Sequence, residues 1–159
     1  MTRLTEDMRR IVDEQRLAFV ATVNADGTPN LSPKGTIAVL DDDHLVFADL
    51  ASPNTVDNLL RKPSVELNVV DPVTRKGYRF KGRAEVIADG HRFDDLIRFF
   101  SEGPRAVSRA VERIRHVVVV EVDRCLPLVS PAYDEGTTEE DISARWETYF
   151  TDLWAGRRS

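Results

Sequence analysis

The chain predicts a mainly β, α+β fold in which about six antiparallel strands carry helices at their periphery. Three observations carry that expectation. From Leu17 to Glu85, runs rich in Val, Ile, Phe and Thr are separated by compact polar turns at Asp26-Gly27 and Asp41-Asp42-Asp43, the pattern of an antiparallel meander. Val65, Leu67 and Val69 alternate with Glu66 and Asn68, and Tyr78, Phe80, Ala84 and Val86 alternate with Arg79, Lys81, Arg83 and Glu85, so each strand offers one face for burial. A single short helix, opening at Ser52-Pro53-Asn54-Thr55 and stopped by Pro63, interrupts the series.

Taken in order, Thr2 to Gln15 places Leu4, Met8, Ile11 and Val12 at helical spacing. Glu6 and Asp7 come early, where a helix start favours negative charge. Leu17 to Asn24 is a strand, and Asp26-Gly27 supplies the left-handed backbone of a tight hairpin that pairs it with Asn30 to Leu40. On that second strand Ser32, Lys34 and Thr36 share one face, with Leu31, Ile37 and Val39 on the other. Leu45 to Ala48 is the third strand. Val56, Leu59 and Leu60 form the stripe by which the short helix docks, and Pro72 to Gly77 connects the two strands that follow.

Phe93, Leu96, Ile97 and Phe100 form a helical stripe ending before Gly103, and Val107, Val111 and Ile114 form a second after Pro104. His116 to Val122 is almost continuously apolar, as in a strand covered on both faces, and Leu126 to Val129 extends the sheet. Thr137-Thr138-Glu139-Glu140 has a capping-box pattern and opens a helix at about 138–155. Ile142, Trp146, Tyr149, Phe150, Leu153 and Trp154 give this helix a heavy apolar face that must cover the barrel end or a second subunit.

The 159 residues, 42% of them hydrophobic, read as one domain over 1–159 with core enough to dispense with disulfides or a structural metal. Cys125 is the lone cysteine, which excludes an intrachain disulfide and fits a cytoplasmic address. Met1 to Gln15 lacks the apolar core of a signal peptide, and no window approaches a membrane span. A net charge of -5 argues against nucleic acid as a partner. His44, His91 and His116 show no metal-ligand spacing, so no metal site is expected.

The order of elements, with Thr28 to Thr36, Leu45 to Asp49, Asn58 to Leu67 and Gly82 to Val86, resembles the FMN-binding split β-barrel family typified by pyridoxamine 5'-phosphate oxidase. The resemblance covers roughly residues 10 to 125 and implies a six-stranded antiparallel split β-barrel. It implies FMN held beside the second strand by Ser32, Pro33, Lys34 and Gly35, by Ala48 and Asp49 at the end of the third strand, and by Asn54 and Thr55 where the helix opens. It further implies a homodimer with a cofactor in each of two clefts between subunits.

Many relatives carry Arg and Lys at the helix start, where this chain has Pro53 to Thr55, which leaves Lys34 as the best cation for a phosphate dianion. The same residues have plainer readings. Ser52 to Thr55 also reads as a helix cap with Pro in the first turn, Lys34 as a solvated strand lysine, and Asp49 as a turn residue. Arg75, Lys76, Arg79, Lys81 and Arg83 read as a solvated face paired with local acids, or as a rim receiving an anionic substrate or the other subunit's cofactor.

The sequence offers no nucleophilic triad and no Gly-rich phosphate loop. The expected activity is therefore FMN-dependent oxidation or reduction of a small organic molecule, with NAD(P)H as a candidate electron donor and the cofactor carrying the electrons. The alternatives are non-catalytic binding of a flavin, a deazaflavin or haem, and a cofactor-free structural or regulatory dimer. The acidic tail argues against true pyridoxamine 5'-phosphate oxidase activity.

Overall fold

A computed structural model describes residues 2–102 and 111–157. The chain opens with α1 (Glu6–Gln15), whose N-cap Thr5 accepts a hydrogen bond from the Met8 amide, and which buries Ile11 and Val12. β1 (Ala18–Val23) and β2 (Pro29–Lys34) form the expected hairpin, in register from Ala18↔Lys34 to Val23↔Pro29. In its turn Gly27 takes φ 85°, and Asp26 Oδ1 accepts from the amide and the hydroxyl of Thr28 at 3.0 and 2.6 Å.

The expected strand from Asn30 to Leu40 is two strands. After β2 the chain turns through 35–37, and β3 (Ala38–Val39) pairs with β4 (His44–Asp49) instead of β1. The physical reason lies at Thr36, whose hydroxyl accepts from the Ala48 amide at 3.0 Å and donates to the Ala48 carbonyl at 3.1 Å. A side chain thus supplies the bonds a ladder would have made, and the backbone is free to bend.

Seven strands result, in the order β2-β1-β5-β6-β7-β4-β3, with every pairing antiparallel; β5 is Ser64–Asp71, β6 Lys76–Ile87 and β7 His116–Val129. β2 and β3 occupy opposite margins of this sheet yet are joined by three residues, so the sheet curls into a half-barrel. β7 runs unbroken through both stretches read from the sequence. A register shift against β6 lies at Lys81/Gly82, where a Cβ on Gly82 would collide with the Glu121 backbone.

The first half of β7, to Val122, is covered on both faces, as its composition implies. Val118, Val120 and Val122 join Val20, Leu45, Phe47, Leu67, Val69 and Phe80 inside the curl. Val117 and Val119 face the other way and meet Leu96 and Phe100 of α3 (Gly90–Glu102). Of the second helical stripe, Pro104 and Val107 lie outside the described residues, Val111–Arg113 is one 3-10 turn, and Ile114 is buried.

α2 (Pro53–Arg61) docks differently from its expected stripe. Val56 and Leu59 are buried, but Leu60 is 67% exposed, and Thr55 and Asn58 face inward instead. Asn58 Nδ2 donates to Thr22 Oγ1 (3.0 Å) and Asn24 Oδ1 (2.9 Å), while Asn30 Nδ2 donates to Thr22 Oγ1 (3.0 Å) and Thr55 Oγ1 (3.2 Å). A buried polar seam therefore fixes the helix on the β1–β2 hairpin.

α4 (Glu139–Gly156) starts at Thr138, which accepts from the Asp141 amide and donates to the Asp141 carboxylate, so the capping acid is Asp141. The helix is fastened near its beginning. Ile142 is buried, the Arg75 guanidinium stacks 3.4 Å from the centre of the Trp146 ring, and Lys76 pairs with Glu139. Beyond that point Tyr149 and Trp154 are more than half exposed, so within one chain the aromatic face stays largely uncovered. Among the described residues no helix is long and apolar enough to cross a membrane.

Candidate functional site

A groove of about 350 Å³ lies where the curled sheet stays open, walled by Ser32, Pro33, Lys34, Gly35 and Thr36 on one side and by Ala48, Leu50, Ala51 and Ser52 on the other. Five of the eight residues expected to bind cofactor line it: Ser32, Pro33, Lys34, Gly35 and Ala48. The volume is at the small end for small-molecule sites.

The face of β2 that meets the groove is its polar one. Lys34 is buried and sits over the Phe47 ring at 5.8 Å, whereas Leu31 on the opposite face is 64% exposed. Lys34 is thus no solvated strand lysine. Its ammonium donates to Ser32 Oγ at 2.8 Å and to Ser52 Oγ, and Ser52 Oγ in turn donates to Asp49 Oδ1 at 2.6 Å. The Ser52 amide reaches the same oxygen at 2.9 Å, and His116 Nδ1 lies 3.3 Å from Asp49 Oδ2.

Burial lowers the Lys34 pKa, opposed by the attraction of Asp49. Burial would raise the Asp49 pKa. The Ser52 hydroxyl and amide, then His116 and Lys34, overcome it and hold the carboxyl below its usual range. Asp49 is therefore an ionised group that accepts hydrogen bonds and donates none.

The remaining residues fall elsewhere. Asp49 is only 3% exposed and stands behind Ser52 rather than in the groove wall. Thr55 is buried with its hydroxyl accepting from Asn30, and its amide bonds to the Ser52 carbonyl at 3.1 Å. Asn54 is exposed on the first turn of α2 and is not among the groove's lining residues. Leu50, Ala51 and Ser52 line the groove without being among the residues expected to bind cofactor, although the helix start from Ser52 to Thr55 reads from the sequence as a phosphate site or a plain cap. Ser52 makes no side-chain cap bond, because its hydroxyl is committed to Asp49. The signal was the Asp49-x-x-Ser52 spacing, which suits a carboxylate closing a turn onto a hydroxyl and an amide.

Two other clusters stand apart from this groove. A cavity of about 390 Å³ between α1 and the β6–β7 ribbon holds Asp7, Arg10, Tyr78, Lys76 and Glu139. Its charges satisfy one another, Tyr78 and Arg10 on Asp7 and Lys76 on Glu139, and the bond to Asp7 with burial pushes the Tyr78 phenol up to about 12. At the β3–β4 turn Asp41, Asp43 and His44 bring ligand-type atoms within 4.8 Å, a grouping the histidine spacing did not suggest. There Asp41 Oδ1 accepts from the amides of Asp43 and His44 and shapes the turn. On the basic strand face, Arg79 and Lys81 both pair with Glu66.

An antiparallel sheet curled on itself, open beside a helix start and presenting an ammonium and two hydroxyls to the gap, defines a split-barrel protein of the FMN-binding fold class. The chain belongs to the pyridoxamine 5'-phosphate oxidase family, whose model matches residues 4–126. It is 33% identical over 92 residues to an uncharacterised protein of Methanocaldococcus jannaschii, and it spans 60% of that relative's length with 57% of its own. Among solved structures it is similar to Group A Streptococcus HupZ, at 28% identity over 79% of this chain and 94% of the other with a TM-score of 0.68. It is also similar to a putative pyridoxamine 5'-phosphate oxidase of Lactobacillus delbrueckii, at 27% identity over 78% and 93% with a TM-score of 0.63.

Proposed function

We propose that this protein is an FMN-binding flavoprotein, a homodimeric oxidoreductase that acts on a small organic molecule with NAD(P)H supplying electrons. The observation that carries the reading is the convergence of Lys34, Ser32 and Ser52 on one groove beside the start of a helix whose first turn has no acid. The Lys34 ammonium and the Ser32 hydroxyl at a helix start fit a phosphate ester. They would hold polar groups of the cofactor, Ser52 would keep the lysine in place, and Pro33, Gly35 and Ala48 would flank the cofactor ring. FMN, when bound, supplies the electron-transfer chemistry.

The dimer is supported by what lies beside the groove. Phe19, opposite Pro33 in the ladder, is 45% exposed, and Leu31 on the same outer surface is 64% exposed. A second copy seated there would complete the enclosure that one chain leaves open. Leu31→Asp is expected to shift the sedimentation coefficient from dimer to monomer and to weaken FMN binding in parallel.

Equilibrium binding of FMN to the apoprotein, wild type against Lys34→Ala, tests the reading. Saturable binding that the variant weakens supports it, and no binding by the wild type overturns it. A second reading, storage or sequestration of a flavin, a deazaflavin or haem, is favoured by the scarcity of proton-transfer groups on the groove wall, where among the described residues Lys34 is the one titratable side chain. Anaerobic bleaching of the absorbance near roughly 450 nm by NAD(P)H separates the two, since a store need not accept hydride.

A further inference from the structure

We propose that Asp49 is a positioning residue: it acts through the Ser52 hydroxyl to hold the Lys34 ammonium in the groove, and it does not itself touch the bound anion. The inference rests on the reading of the groove as the FMN site and assigns Asp49 and Ser52 distinct parts in it.

The hydrogen-bond directions follow from the chemistry. Ionised Asp49 can only accept, so the Ser52 hydroxyl must point its proton at Oδ1, across 2.6 Å. That leaves the Ser52 lone pairs facing Lys34, whose ammonium can only donate. The carboxylate is itself held, by the Ser52 amide at 2.9 Å on Oδ1 and by His116 at 3.3 Å from Oδ2. It is also 3% exposed, with Ser52 between it and the groove. Two of the three Lys34 N–H groups are occupied by Ser32 and Ser52, and among the described residues the third has no hydrogen-bond acceptor, which leaves it for a ligand.

This arrangement answers an electrostatic objection. A carboxylate close to a phosphate site repels the dianion, so if Asp49 were only a neighbouring charge its neutralisation would tighten binding. Positioning predicts the opposite sign. Asp49→Asn, nearly the same shape, frees the Ser52 hydroxyl to rotate and lets the lysine leave its place.

FMN affinity is to be measured for wild type, Asp49→Asn, Ser52→Ala, Ser52→Thr, Lys34→Gln and the Asp49→Asn/Lys34→Gln double variant, each checked for folding by circular dichroism. Asp49→Asn and Ser52→Ala are expected to weaken binding roughly tenfold, Ser52→Thr to restore it, and the double variant to bind no worse than Lys34→Gln alone. Tighter binding by Asp49→Asn, or additive losses in the double variant, would overturn the proposal.

A ligand-free measurement keeps the inference separate from the function it rests on. Proton exchange of the Lys34 ¹⁵Nζ group, followed by NMR, is expected to be slow in the wild type and fast in both Asp49→Asn and Ser52→Ala. Unchanged exchange refutes the latch even if FMN binds, and failure of the wild type to bind FMN removes the cofactor while the exchange result still decides the latch.

Discussion

Replacing Thr36 with valine should unsettle the whole barrel mouth, although valine matches threonine in shape. The hydroxyl accepts from the Ala48 amide at 3.0 Å and donates to the Ala48 carbonyl at 3.1 Å, and Ala48 is 2% exposed. Valine leaves one buried N–H and one buried C=O without partners at the end of β4. A buried polar group stripped of its partner costs about 1–3 kcal/mol, and the carbonyl, with groove solvent close by, falls at the low end. The expected loss is therefore about 2–4 kcal/mol, a large part of the roughly 5–15 kcal/mol that holds a domain folded. Thr36→Ser keeps both bonds and should lose less than about 1 kcal/mol. Urea unfolding followed by tryptophan fluorescence gives both values. A Thr36→Val loss under about 0.5 kcal/mol, or equal losses for the two variants, would refute the claim that this side chain stands in for ladder bonds.

Three further outcomes are expected. Gly82→Ala places a Cβ against the Glu121 backbone at the β6–β7 register shift, where neither strand can yield, and should cost about 1–3 kcal/mol in chemical denaturation. Asn58→Ala removes donors to Thr22 and Asn24 and the acceptor of Arg61, for an expected loss of about 1–3 kcal/mol, whereas Leu60→Ala on the outer face should change stability by less than about 0.5 kcal/mol. His44 titrates above its ordinary value: burial pulls it down, but Asp41 and then Asp43 outweigh that pull. Its contribution is complete below the unfolded value of about 6.5 and disappears as pH rises through the higher folded value. Urea midpoints of wild type and His44→Gln should accordingly converge with rising pH, and a gap that widens would contradict the sign.

Some of these features are legible in the residues themselves, and others depend on partners distant in the chain. β1, β5, β6 and the first half of β7 follow from alternation and from the double-sided valine run, because each buries residues at the positions those patterns mark. Residues 30–40 misled because both halves favour extended backbone, and their division depends on Thr36 meeting Ala48, a partner 12 positions away. β2 turns its polar face inward because it borders a groove, where apolar-inside logic reverses. On α2, Leu60 scored as core by spacing, while Thr55 and Asn58 were chosen by buried hydrogen bonds that periodicity cannot see. In the groove the second-strand residues came from the family resemblance. Ser52 did not, since its hydroxyl has value only beside Asp49 and Lys34 together.

The short passage between β2 and β3 sets a limit on motion. Four peptide steps from Lys34 to Ala38 can span at most about 14 Å when drawn straight, so the two lips of the opening are on a leash. The cofactor proposed for the groove would meet lips that this three-residue span keeps close together. Nicking the chain between Gly35 and Thr36 would keep every ladder partner but remove that tether, leaving the packed interior of the curl and the Lys34–Ser52 contact to hold the lips.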